Sequence, residues 1–254
     1  MRRLVTPWLA VCVVVSAVSF ARADAQADMK TLIEKGVKSL GGQDKLTKLQ
    51  ATVVKVKGKF YGFGDGLDYT AETSTMGMDK IRNLIEGNMD GNKFSFTQIY
   101  NNGKGWMAMG GDAQDLPEDQ LDEIKQSLYT SYIMRLYMLP TKEYTLKSLG
   151  DSKAGDTEVY GIKVSRKGYK DVTLFLDKKT GLVVKSESTV KNTMGGGEEQ
   201  KEERMFADYK DHDGIKYPTK ATITRDGKKF VESEATDVKF SEKLDDNTFA
   251  KPGT

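Results

Sequence analysis

The stretch from Ala51 to Tyr61 reads ATVVKVKGKFY and sets the pattern for most of the chain. Apolar side chains at Val54, Val56 and Phe60 alternate there with three lysines. A period of two gives a strand one apolar face and one solvated face, so this segment is predicted to be a half-buried β-strand.

The same alternation recurs along the chain. Turns that separate the alternating runs contain glycine, as in Asn101–Gly103, Asp177–Gly181 and Asp226–Gly227, and such links are typical of antiparallel hairpins. The further predicted strands cover about 67–76, 80–86, 92–100, 104–109, 143–149, 157–165, 171–177, 182–190, 201–209, 215–224 and 229–240.

Two segments have a helical period instead. The first follows Asp28 and ends at Gly41-Gly42. The second opens with acidic residues from Asp115, where the helix dipole favours them, and stops before Pro140. Its second half, Leu128 to Leu139, is apolar on more than one face, which indicates burial or a position lining a cavity.

These elements indicate a mainly β (α+β) fold. Many strands without regular βα alternation favour an antiparallel sheet with helices on one side, and a sheet this long must curl or close. We therefore expect a strongly curved antiparallel sheet, or incomplete β-barrel, with two or three helices covering a hydrophobic cavity.

The N-terminus is typical of an exported protein. Arg2 and Arg3 precede an apolar run from Leu4 to Phe20, and small residues follow at Ala21 and Ala23. This order predicts a cleaved signal peptide over 1–23, a single domain over 24–254 and a periplasmic location.

Cleavage would also remove Cys12, so no disulfide is expected. It would leave 36 basic and 37 acidic residues, a balance that lacks the basic stripe of nucleic-acid binders. We expect no nucleic-acid partner.

Catalytic and metal-binding chemistry is sparse. His212 is the single histidine and lies in a polar run, which favours a solvated turn over a catalytic base. Asp211 and Asp213 lack the closing glutamate of a calcium loop, and zinc would lack ligands. The sequence therefore predicts no catalytic residue, no metal and no cofactor.

Paired acids at Glu198-Glu199, Glu202-Glu203 and Asp245-Asp246 leave a carboxylate-based hydrolase as a remote alternative. All three pairs lie in charged segments, and solvated faces are the simpler interpretation.

Large apolar and flexible side chains are the more informative feature. Methionine and aromatic residues suit a surface that adapts to variable ligands, although each of them could also pack the core. The residues predicted to line a hydrophobic cavity are Val54, Val56, Phe60, Phe94, Phe96, Trp106, Met109, Leu128, Tyr132 and Leu136.

Three motifs resemble one family. Phe175 to Lys185, with Asp177 and the Thr180-Gly181-Leu182 restart, is similar to a hairpin of the LolA/LolB-like periplasmic lipoprotein-sorting proteins. Tyr209 to Pro218 resembles the strand that follows, and Leu244 to Pro252 is similar to the ends of related envelope proteins. The resemblance implies a curved incomplete barrel whose helices cover a cavity for acyl chains. It carries over no site residue.

The resulting expectation is a non-catalytic periplasmic binding or carrier protein for lipid acyl chains or lipidated proteins. Such a role belongs to transport and outer membrane biogenesis, with an outer-membrane or other envelope protein as a possible second partner. The alternative is an envelope sensor or scaffold module that binds a protein partner.

Overall fold

The computed structural model describes residues 14–62, 64–89, 91–193 and 196–253. Thirteen strands form one antiparallel sheet that is strongly curved and not closed, which confirms the predicted fold class. The strands are β1 (Ala51–Phe60), β2 (Leu67–Met76), β3 (Lys80–Met89), β4 (Asn92–Asn101), β5 (Lys104–Ala108), β6 (Gln114–Asp115), β7 (Tyr144–Ala154), β8 (Thr157–Arg166), β9 (Val172–Asp177), β10 (Val183–Lys191), β11 (Glu199–His212), β12 (Ile215–Arg225) and β13 (Lys228–Ser241).

Two meanders meet in the middle of the sheet. The spatial order is β6-β5-β4-β3-β2-β1-β13-β12-β11-β10-β9-β8-β7, so β1 joins the N-terminal strands to the last strand of the chain. Val54 stands opposite Val238 in that pair, and the register shifts between Lys55 and Val56. A bulge of this kind bends a strand and increases its twist. The outermost strands, β6 and β7, are edges.

Three α-helices accompany the sheet in the described residues: α1 (Val14–Leu40), α2 (Gln43–Lys48) and α3 (Glu118–Ile133). The main hydrophobic cluster brings α1 and α3 against β8 and β9. Met29 and Ile33 of α1 pack there with Tyr129 and Ile133 of α3 and with strand residues such as Ile162, Leu174 and Leu176. The interior thus lies on the helix-covered face of the C-terminal meander.

The N-terminal helix is longer than predicted, because it begins at Val14 and not near Asp28. Residues 1–13 of the expected signal peptide lie outside the described residues, so its cleavage stays a prediction. No helix in the described part has both the length and the low polarity needed to cross a membrane.

The second helix is shorter than predicted at both ends. Asp115 lies in β6, and α3 ends at Ile133, not at Leu139. Leu136 takes a left-handed backbone conformation with φ of 65° and is fully buried. That conformation costs a branched side chain about 1–2 kcal/mol, which burial in the core offsets. The break turns residues 134–139 back toward α2.

The hairpin between β9 and β10 has the predicted turn. Asp177 Oδ1 accepts hydrogen bonds from the backbone N–H groups of Lys179 and Thr180, both at 2.7 Å. Gly181 follows with φ of 74°, a value that favours glycine. Helix α1 rests on this turn, since Ser39 Oγ donates to the Thr180 carbonyl at 2.7 Å.

The C-terminal segment covers the other face of the N-terminal meander. A 3-10 turn at Asp246–Phe249 buries the Phe249 ring completely. Asn101 donates a hydrogen bond to the Phe249 carbonyl at 3.1 Å, and Lys80 pairs with Asp246 at 2.6 Å. This segment therefore clamps β3 and β4 from the side opposite to α3.

Candidate ligand-binding cavity

A cavity of about 280 Å³ lies between α3 and the middle of the sheet. Strand alternation creates its sheet side, because Val54 and Val56 face inward while Lys55 and Lys57 face out. Leu128, Ser131 and Tyr132 of α3 form the opposite side. The other sheet residues at the cavity are mostly small, apolar or aromatic, with one lysine: Thr52, Thr73, Thr75, Ile81, Phe206, Tyr209, Ile215, Lys216, Tyr217, Pro218, Thr219, Ala221, Ser233, Ala235 and Phe240.

Small side chains leave this space open. Ala235 stands beside Val56 across the β1–β13 pair, and Ala221 stands beside Ser233 across the β12–β13 pair. Larger residues at these positions would fill the space between sheet and helix, since protein interiors pack densely where volume allows. The small residues at these strand positions therefore account for the cavity.

A second, open groove of about 1070 Å³ lies toward the far ends of these strands on the outward face of the sheet, because most of its lining side chains alternate with those that face the cavity. The two spaces share Ala221 and Ser233. At Gly58 and Gly87 the floor is bare backbone, over which lie the rings of Tyr69 and Phe94. The charged side chains around the groove are four lysines and four acids: Lys57, Lys59, Lys93, Lys220, Asp68, Glu86, Glu232 and Glu234.

The inner end of the cavity is polar. Arg135 Nη2 donates to the carbonyls of Leu46 and Leu49, each at 2.5 Å, at the C-terminal end of α2. A cation there is favoured by the helix dipole. The Tyr132 and Tyr137 rings lie 5.9 and 5.8 Å from the guanidinium carbon. Burial lowers the pKa of Arg135, and the two tyrosines raise it in part.

A hydrogen-bond network holds these rings. The Tyr132 and Tyr137 hydroxyls are 2.5 Å apart, and the Tyr132 hydroxyl donates to Gln50 Oε1 at 3.0 Å. Gln50 Nε2 in turn donates to the Leu46 carbonyl at 2.7 Å. Burial, followed by the bond to Tyr137, raises the pKa of Tyr132. The Tyr132 hydroxyl therefore stays protonated, and the network fixes the wall around Arg135.

The ten residues predicted to line a cavity are divided among several places. Val54, Val56, Leu128 and Tyr132 line the cavity, and Phe94 lines the outer groove.

Three others lie near these spaces or in the core. Phe96 pairs with Ile85 in the row that also holds Val56, and Phe60 packs edge-on against Phe230 at 5.0 Å. Leu136 is part of the hydrophobic core.

Trp106 and Met109 were expected at the cavity and lie elsewhere. Trp106 follows Gly105, where an added Cβ would stand 2.5 Å from Leu121 of α3. Neighbouring residues of a strand face opposite sides, so the indole lies on the face away from α3, beside Ile99. Met109 follows β5 and is 65% exposed.

Arg135 is the functional candidate that sequence reasoning missed. It is the single charged residue in the apolar segment Leu128–Leu139. A lone charge in such a segment is costly unless it is paired or serves a purpose, and that signal was available in the sequence.

The remaining polar candidates do not line the cavity. His212 ends β11 instead of lying in a solvated turn, and its Nε2 is buried without a hydrogen-bond partner among the described residues. Glu202 was expected on a solvated face and is only 1% exposed. It pairs with Arg204 at 2.7 Å and Arg225 at 3.0 Å, which accounts for its burial.

Solved structures share this fold at low sequence identity. An outer membrane lipoprotein-sorting protein domain from Vibrio parahaemolyticus is 14% identical with a TM-score of 0.53, and the match covers 86% of this chain and 97% of that one. A LolA superfamily protein from Nitrosomonas europaea is 13% identical with a TM-score of 0.56, covering 87% and 97%. A DUF1329 family protein from Desulfovibrio piger is 14% identical with a TM-score of 0.53, covering 87% and 96%.

The chain therefore has a LolA-like fold, as the sequence motifs predicted. No protein-family model matches the sequence, and no curated protein matches it. At this identity the likeness establishes the fold alone.

Proposed function

We propose that residues 24–254 form a non-catalytic periplasmic domain that binds or carries lipid acyl chains or lipidated proteins. The observation that carries this proposal is the cavity between α3 and the small-residue floor of the sheet. The fold shared with a lipoprotein-sorting domain supports the same class of ligand.

The size and lining of the site suit an acyl chain. Val54, Val56 and Leu128 offer aliphatic surface, and each methylene group removed from water contributes about 0.8 kcal/mol. A chain that begins at Val56 can continue along the same face of the sheet over the rings of Tyr69 and Phe94, which lie in register with Gly58.

A pair of alanine substitutions tests this function. Ala235 of β13 lines the cavity. Ala207 of β11 is exposed on the face of the sheet that points away from the cavity. Ala235→Leu fills part of the cavity and is expected to weaken binding of dodecanol and laurate by about tenfold or more, the equivalent of two methylene contacts. Ala207→Leu adds the same side chain outside and is expected to leave binding unchanged. Isothermal titration below the micellar concentrations measures both.

Two results would contradict the proposal. The first is that the unmodified protein binds neither compound. The second is that Ala235→Leu and Ala207→Leu bind both compounds equally well. Native mass spectrometry of protein purified from the envelope provides a separate check: a stable protein complex without bound lipid would favour the sensor or scaffold alternative.

A further inference from the structure

Arg135 has hydrogen-bonding capacity that the protein leaves unused. Both of its bonds to the α2 carbonyls come from Nη2. Nη1 and Nε of Arg135 make no hydrogen bond and no ion pair within the described part of the chain. Neither atom is fully buried. These donors therefore remain open to the cavity that Arg135 lines.

The guanidinium is also held in position. Tyr132 and Tyr137 contact it from their ring faces, and their hydroxyls are tied to each other and to Gln50. A side chain that is fixed in advance loses little freedom when it binds a ligand, which favours affinity.

The charge of the inner cavity is one-sided. Its described lining contains two basic residues, Arg135 and Lys216, and no carboxylate. The outer groove, by contrast, balances four lysines with four acids. A partly desolvated cation without a counter-ion favours an anionic group beside it.

The position of Arg135 also determines the orientation of a bound ligand. Arg135 reaches the carbonyls of Leu46 and Leu49, which precede the first residue of β1. The cavity uses β1 from Thr52 to Val56, and the groove begins at Lys57. Arg135 therefore stands at the end of the cavity that is next to the start of β1, and Val56 lies toward the other end.

We propose that the site binds a single-chain amphiphile with its carboxylate on Arg135 Nη1 and its hydrocarbon chain running over Val54 and Val56 along the inward face of β1. This inference rests on the proposed function. An acyl chain that entered with its methyl end first would place hydrocarbon against the unneutralised guanidinium. The site therefore selects free carboxylates of the fatty-acid type over acyl chains whose polar end is a bulky headgroup or a protein.

The test compares three amphiphiles with the same chain on the intact protein: laurate, dodecanol and dodecyltrimethylammonium, each below its micellar concentration. Laurate is expected to bind about tenfold to a hundredfold more tightly than dodecanol, as one charge-assisted hydrogen bond allows, and the cation is expected to bind weakest. In Arg135→Gln the preference for laurate is expected to disappear, and in Arg135→Lys to persist in part. Lys147→Gln removes an equal charge from the exposed face of β7 and is expected to keep the full preference.

The outcomes separate this inference from the function on which it rests. Equal binding of laurate and dodecanol by the unmodified protein would overturn the placement of the carboxylate on Arg135 and leave acyl-chain binding intact. Binding of none of the three would overturn both. If Arg135→Gln fails to fold, the comparison of laurate with dodecanol on the unmodified protein still decides. A folded Arg135→Gln protein that retains the preference would exclude Arg135 as its source.

Discussion

Gly36 of α1 and Gly181 of the β9–β10 turn lie in backbone contact. A Cβ on Gly36 would stand 2.4 Å from the Gly181 carbonyl oxygen, closer than such atoms can approach. Gly181 therefore meets two demands at once, a left-handed backbone and a surface without a side chain. The hairpin that carries the strongest family resemblance is also the place where the first helix rests on the sheet.

Gly36→Ala tests this contact. In an open helix the change to alanine stabilises by about 1 kcal/mol. Here the clash is expected to dominate and to lower the free energy of unfolding by about 1–3 kcal/mol. Urea denaturation measures the difference. Gly111→Ala, where an added Cβ has no neighbour within 4 Å, is expected to change stability by less than about 0.5 kcal/mol. Stabilisation by Gly36→Ala would show that the helix is not held so closely.

Glu202→Gln tests the buried ion pairs. Burial alone raises the pKa of Glu202, but attraction to Arg204 and Arg225 outweighs it, so the pKa lies below its ordinary value. Loss of the carboxylate leaves two arginines facing each other and is expected to cost about 2–4 kcal/mol at neutral pH. The arginines are partly exposed, so the cost falls short of a fully buried pair.

The same residue predicts a pH dependence. Because its pKa falls on folding, the ionised form of Glu202 stabilises the protein above its unfolded pKa of about 4.3, and this contribution is lost as the pH falls toward the folded-state pKa. Urea unfolding at neutral and acid pH is expected to show the gap between the protein and Glu202→Gln narrowing in acid. Glu158→Gln, at an exposed position on β8, is expected to show no such gap. A gap of constant size would assign the loss to packing.

Phe249→Ala tests the C-terminal clamp. The ring is fully buried against β3 and β4, so its removal is expected to lower the free energy of unfolding by about 3–5 kcal/mol. Laurate affinity of the folded fraction is expected to stay unchanged, because the clamp lies on the face away from α3. Leu149→Ala, at a position that is 49% exposed, is the control and is expected to have an effect below about 0.5 kcal/mol. A loss of affinity without a loss of stability would contradict this placement.

Fluorescence reports on which face a ligand occupies. Trp106 lies away from α3, so its emission, isolated by comparison with Trp106→Phe, is expected not to shift when laurate saturates the protein. A tryptophan placed in the cavity by Phe206→Trp in the Trp106→Phe background is expected to shift to the blue, because the ligand removes water from it. A shift at Trp106 alone would place the ligand on the wrong face for both proposals.

The sheet was predictable because its signals are local. Alternation along β1 depends on the backbone period alone, and turns such as Asp177–Gly181 need particular residues at particular positions. Val54 and Val56 both face the cavity, since Lys55 between them marks the outward face.

Other features depend on contacts that the sequence does not state. Apolar side chains lie on both faces of β5, with Leu121 of α3 on the Gly105 side and Ile99 beside Trp106 on the other, so its apolar pattern does not reveal which way Trp106 points. The helix end near Leu136 was missed because a left-handed leucine is stable only inside a finished core. The cavity exists because the side chains of Ala221 and Ala235 are small. The two alanines lie on different strands, so the sequence of one strand does not predict the cavity.

The open sheet has one more consequence. In a closed barrel, the number of strands and their stagger determine the diameter. Here strands β6 and β7 are not hydrogen-bonded to each other, so the barrel is not closed. Helix α3 touches β4 on one side and β10 on the other, and so acts as a strut across the gap. The width of the cavity between α3 and the sheet then depends on how this one helix packs on the side chains of the sheet. The packing of α3 can shift to fit a larger or smaller ligand without the loss of any interstrand hydrogen bond.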